Sequence, residues 1–135
     1  TVRANHIILK GKGEAHALSF NQSRVEINTM LVANEGVTGL SSFSGSTKIN
    51  NSCFESGGLL IRDGEFSLSN STIELIDQNL IELHYCRSEI QGLQFSNDKR
   101  VEFNVVGGLM KCGENLQERM KFTSQVLNFP DLDLL

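Results

Sequence analysis

Between Ser46 and Phe95 apolar residues arrive in short runs. These are Leu59-Leu60-Ile61, Phe66 with Leu68, Ile73 with Leu75 and Ile76, Leu80-Ile81 with Leu83, then Ile90, then Leu93 with Phe95. Ser, Asn, Gly and Asp fill the gaps, and the stretch contains no Pro. No run is long enough for a buried helix, so the pattern predicts one short strand after another, separated by turns. Similar runs at His6–Leu9, Ala17–Phe20, Val25–Val32 and Arg100–Val106 extend the reading to both sides.

The turns resemble one another. Gly followed by Leu recurs as Gly39-Leu40, Gly58-Leu59, Gly92-Leu93 and Gly108-Leu109, at separations of 19, 34 and 16 residues. The phrase Arg24-Val25-Glu26-Ile27-Asn28 returns as Arg100-Val101-Glu102-Phe103-Asn104, with variants at Ser46–Asn50 and Ser71–Leu75. A period from the high teens to the low twenties predicts a solenoid, whose coils bury their apolar face only by stacking. The expected fold is all-β, a parallel β-solenoid over residues 1–112. An antiparallel β-sandwich or jelly roll, with the same density of strands, is the alternative. Past Gly113 the pattern changes. Leu116, Met120, Thr123 and Leu127 share a helical face, Asn115 stands three residues before Glu118, and Pro130 follows. This predicts an α-helical cap over 113–129 and a tail over 130–135, ending in DLDLL from Asp131, that either frays or docks.

The phrases INNSCFESGGLLI, SNSTIEL and SEIQGLQFSN resemble the right-handed parallel β-helix of pectin-lyase-like proteins, over about residues 24–110. The resemblance implies inward columns of Ile, Val, Leu and Phe. It also implies ladders of Asn at the bends, with Asn28, Asn50 or Asn51, Asn70 and Asn97 as candidates. The irregular period departs from the pattern and requires loops of different length at one corner. Similar β-helices serve as substrate-recognition parts of bacterial effectors, as segments of phage tail spikes and adhesins, and as polymerising units.

Charge and composition narrow the function. The 135 residues carry a formal net charge of −4, with no Trp, one Tyr and no basic run, which argues against a nucleic-acid binder. No apolar stretch approaches the roughly 20 residues needed for a membrane-spanning helix. Cys53, Cys86 and Cys112 are odd in number and lie in apolar contexts. They read as buried thiols, which favours a cytosolic protein or a secreted effector over a disulfide-rich extracellular one. A chain that starts at Thr1 is expected to be a fragment or a processed product.

For chemistry, Asp63, Glu65, Glu74, Asp77, Glu82 and Glu89 fall in three adjacent expected coils. Glycoside hydrolysis needs two carboxyl groups about 5–9.5 Å apart, and neighbouring strands stand about 4.8 Å apart, so pairs are within reach. The plainer reading is that these residues face water. His84 and Cys86 flank Tyr85, and strand alternation predicts one shared face, where they could ligate zinc or form a nucleophile and base. A core thiol beside a satisfied histidine is the expectation. No metalloprotease, zinc-finger, nucleophile-elbow or phosphate-loop motif is present, and no cofactor is implied. The expected function is a non-enzymatic protein-binding or structural β-helix module, with effector substrate recognition favoured. The alternative is a carbohydrate-active enzyme fragment that acts on a polysaccharide through Asp63, Glu65, Glu74, Asp77 or Glu82.

Overall fold

A computed structural model describes residues 1–12, 18–35, 39–74, 81–96, 101–112, 120–122 and 132–134. In chain order the strands are β1 (Val2–Lys12), β2 (Leu18–Asn21), β3 (Arg24–Glu35), β4 (Leu40–Phe43), β5 (Ser46–Asn50), β6 (Cys53–Ser56) and β7 (Leu59–Arg62). They continue as β8 (Glu65–Ser69), β9 (Thr72–Ile73), β10 (Ile81–Gln91), β11 (Gln94–Phe95), β12 (Val101–Cys112), β13 (Met120–Phe122) and β14 (Leu132–Leu134). Every pairing among them is parallel, which makes the chain a parallel β-solenoid of about four turns and excludes the antiparallel sandwich. Parallel neighbours need a crossover, and here each crossover is the rest of a turn.

Three sheets form the walls. The first stacks β2, β4, β7, the start of β10 and the start of β12, with β13 paired to Val101–Phe103. The second stacks the start of β1, the start of β3, then β5, β8, the end of β10, the end of β12 and β14. The third holds the remainder of β1 and β3, followed by β6, β9 and β11. The four long strands bend round a corner and belong to two sheets each, so the hydrogen bonding is continuous through 14 strands.

Two corners are turned by a single residue in the left-handed region. Between the first and second sheets these are Gln22, Ser44, Asp63, Tyr85 and Gly107, the last followed by a second positive-φ glycine, Gly108; between the second and third, His6, Thr29, Asn51, Asn70 and Gly92. All eight non-glycine residues with positive φ among those described fall in these two columns. An L-residue there costs roughly 1–2 kcal/mol, a cost spread over every turn and offset by the stacking it permits.

Strand alternation then sends every second side chain inward. Leu18, Leu40, Leu59, Ile81 and Phe103 occupy one place in successive turns, spaced 22, 19, 22 and 22 residues apart. Ile27, Ile49, Leu68 and Ile90 form a second inward column, and Val32, Phe54 and Ile73 a third, all buried. Full burial of each such side chain stabilises the fold by about 1.5–3 kcal/mol. Of the residues expected to stack, Leu59, Ile61, Ile73 and Ile90 are buried, and Leu93 packs half-buried against the core. Leu75 and the side chain of Val101 lie outside the described residues.

Polar ladders complete the corner between the second and third sheets. Asn51 Nδ2 donates to Asn28 Oδ1 at 2.9 Å, and Asn70 Nδ2 and Ser69 Oγ donate to Asn50 Oδ1 at 3.4 and 2.8 Å. The expected asparagine ladder is therefore present at Asn28, Asn50, Asn51 and Asn70, while Asn97 lies outside the described residues. Behind it runs a buried serine ladder. Met30 N donates to Ser52 Oγ at 3.0 Å, and Ser52 N to Ser71 Oγ at 3.1 Å. Each hydroxyl in turn donates to a carbonyl two residues back, that of Asn50 or Ser69.

Two expectations need correction. Gly58 stacks on Gly39, but Gly92 and Gly108 sit at the other two corners, so the four Gly-Leu pairs are not one repeat. Residues 120–122, inside the expected capping helix, are strand β13, where pairing with the exposed edge of β12 outweighs a modest helical pattern. The rest of that helix lies outside the described residues. Within the expected tail, Leu132–Leu134 also adds a strand to β12.

Candidate functional site

The outward positions of the second sheet form three parallel columns. Because β1, β3, β5, β8, β10 and β12 pair in a fixed register, the central column reads Arg3, Glu26, Lys48, Ser67, Glu89, Lys111. On one side of it run Arg24, Ser46, Glu65, Arg87 and Leu109. On the other run Asn5, Asn28, Asn50, Ser69 and Gln91. Side chains in one column repeat at the strand spacing of about 4.8 Å.

The two ends of this face differ. Near the N-terminal turns the charges neutralise one another: Arg3 Nε lies 3.2 Å from Glu26 Oε2, and Arg24 Nη2 lies 3.5 Å from Glu26 Oε1. Further along, Lys48, Glu65, Arg87, Glu89 and Lys111 line a shallow groove of about 340 Å³ and form no ion pair among the described residues. A second groove of about 230 Å³, lined by Arg3, Glu26, Asn28, Lys48 and Asn50, continues it along the same face. The floor is the buried wall of Thr47, Phe66 and Ser88, which the core holds in place.

The other acidic candidates are scattered. Asp63 turns the corner between the first and second sheets with φ 53°, exposed. Glu74 follows β9 on the third sheet, its N–H bonded to Phe54 O. Glu82 lies outward on the first sheet, where its Oε1 accepts from Asn104 Nδ2 at 3.0 Å. Asp77 lies outside the described residues. Of the carboxylates named from the sequence, Glu65 and Glu89 share a groove. They stand on adjacent strands offset by two residues, a backbone separation of roughly 8 Å from strand geometry. The sequence pattern offered no sign of Lys48, Arg87 and Lys111. Their only signal is the outward parity of their strands, which has meaning once the register is known.

His84 and Cys86 do not share a face, because Tyr85 between them carries the left-handed bend with φ 54°. Cys86 turns inward and its Sγ donates to the carbonyls of Ile61 and His84, both at 3.2 Å. Burial pushes its thiol up from the ordinary value of 9.0, with Asp63 adding to the rise against hydrogen bonds from the Gly64, His84 and Asp63 backbone that lower it. His84 is half-buried, with Nε2 3.7 Å from Glu82 Oε1 and that atom without a hydrogen-bond partner among the described residues. Burial likewise raises the Cys53 thiol, helped by Glu74 and Glu55. Among the described residues no three His, Cys, Asp or Glu side chains gather as metal ligands, and no helix is long and apolar enough to cross a membrane.

Neither a family model, a curated protein sequence nor a solved structure shows significant similarity to the chain. The class that the fold itself defines is the parallel β-solenoid.

Proposed function

We propose that the chain is a non-enzymatic protein-binding or structural β-solenoid module, of the right-handed, pectin-lyase-like kind that serves for substrate recognition in bacterial effectors. Its recognition surface is the outward face of the second sheet. The observation that carries this reading is the run of charges of both signs, Lys48, Glu65, Arg87, Glu89 and Lys111, unpaired among the described residues, on a sheet whose register fixes their spacing. A charged side chain held without a partner adds little to stability, whereas it gives specificity and steering to an association. A solenoid can vary such residues freely, since they point away from the stacked core.

One observation favours a second reading. Glu65 and Glu89 line the same groove on backbone positions roughly 8 Å apart, which brings two carboxylates to one site as sugar hydrolysis requires, so a carbohydrate-active enzyme is the alternative. A polysaccharide panel assayed for new reducing ends and for unsaturated uronide products separates the two. The binding-module reading expects no turnover from the wild type that E65Q or E89Q abolishes. Turnover lost in either variant overturns it.

A further inference from the structure

The order of charges in the central column of the second sheet has a symmetry. Ser67 is uncharged; one turn to either side of it stand Lys48 and Glu89, and two turns to either side Glu26 and Lys111. Positions equidistant from Ser67 thus carry opposite charges. Such a column is complementary to itself when it is reversed. A two-fold axis that passes over Ser67 and parallel to the strands sets Lys48 against Glu89 of a second copy and Glu26 against Lys111 of a second copy. Each contact is made twice, as an isologous interface requires.

From this geometry we propose that the partner of the second sheet is a second copy of this chain, docked face to face and antiparallel across Ser67. The proposal rests on the reading of that sheet as a binding face. In the flanking column Glu65, on the same turn as Ser67, faces its own symmetry mate, a like-charge contact beside which Arg87 of each copy stands one turn away. Lys48, Glu89 and Lys111, all unpaired among the described residues of the single chain, each then face a side chain of opposite sign.

The four steps from Glu26 to Lys111 span only about 19 Å at the strand spacing. The face is therefore smaller than a standard interface of about 800 Å² per partner. Its contacts are polar and exposed, so the dimer is weak and falls apart as salt screens the pairs.

Sedimentation over a concentration series in about 20 mM salt, repeated at about 500 mM, is expected to show a monomer–dimer equilibrium in the first condition and monomer in the second. Lys48→Glu and Glu89→Lys, taken singly, turn two attractions into two repulsions and should weaken the dimer about ten-fold or more. The double variant K48E/E89K restores opposite signs across the axis and should recover the dimer. In a C53S background, Ser67→Cys should join to itself through a short bis-maleimide much faster than Gln94→Cys on the third sheet. A monomer at all concentrations in low salt, a double swap no better than the single variants, or equal cross-linking at the two cysteines would each overturn the proposal. These outcomes are separate from turnover on a polysaccharide, which bears on the binding-module reading whether or not the chain dimerises.

Discussion

Replacing Ser52 with Ala removes one hydroxyl from the buried serine ladder. Its Oγ accepts the Met30 N–H at 3.0 Å and donates to Asn50 O at 3.1 Å, and both Ser52 and Met30 are almost fully buried. Alanine leaves the Met30 N–H without a partner in the core, which costs about 1–3 kcal/mol. The backbone bond from Ser52 N to Ser71 Oγ survives the change, so the loss is confined to the interface between two turns. Ser71→Ala strands the Ser52 N–H one turn further along and should cost a similar amount. Urea unfolding of S52A, with Ser67→Ala as a half-buried control on the second sheet, measures the difference. Amide hydrogen exchange should show lost protection at Met30 in S52A and at Ser52 in S71A, a localisation that global unfolding cannot provide. If S52A costs no more than S67A, or Met30 exchanges as in the wild type, the ladder carries none of the stability assigned to it.

The remaining predictions concern corners and thiols. Thr29 is β-branched at φ 68°, so Thr29→Gly should raise stability by about 1 kcal/mol in urea unfolding, relief of the left-handed conformation outweighing the entropy of glycine. A Cβ on Gly64 would run into the carbonyl and amide of Gly45 on the preceding turn; Gly64→Ala should cost about 1–3 kcal/mol, read by the same titration. The Cys86 thiol has a folded pKa raised above 9.0, chiefly by burial, and burial with Glu74 and Glu55 raises Cys53. Their contribution to stability is therefore level below about pH 9 and falls as pH rises through the folded values, so unfolding midpoints at pH 8 and pH 10 should differ less in a C53A/C86A background.

Much of the wall was legible in the sequence. Short apolar runs alternate because inward and outward residues alternate, and Ser46–Asn50 does sit one turn above Arg24–Asn28. The similar phrase at Arg100–Asn104 misleads, since Val101–Asn104 lies on the first sheet and Arg24–Asn28 on the second. Both are strands that send an aliphatic or aromatic residue inward, Ile27 and Phe103, and sequence alone cannot say which wall a strand builds. The same ambiguity hid the site. Glu65 and Glu89 share a groove whereas Glu82 does not, and that depends on the corner at Tyr85, a residue that no composition rule marks as left-handed. Met120–Phe122 was misplaced for a further reason: local helical spacing is weak information beside an open strand edge waiting to be paired.

The three corners also differ in how they treat length. Two residues always join the first sheet to the second, as at Ser44-Gly45 and Asp63-Gly64, and two join the second to the third, as at Asn51-Ser52 and Asn70-Ser71. The third corner takes two residues between Ser56 and Leu59 but seven between Ile73 and Ile81. The cross-section is thus constant in length at two vertices, and the variation in repeat length collects at the third and in the third sheet, where β3 and β6 shift register between Val32 and Ala33. Insertions and deletions arising in evolution have a single safe address on each turn. A foreign epitope or a short binding peptide grafted between Gly57 and Gly58 should leave the stack above and below in register, whereas one added residue at Asp63 would turn the inward face of the next strand out toward water.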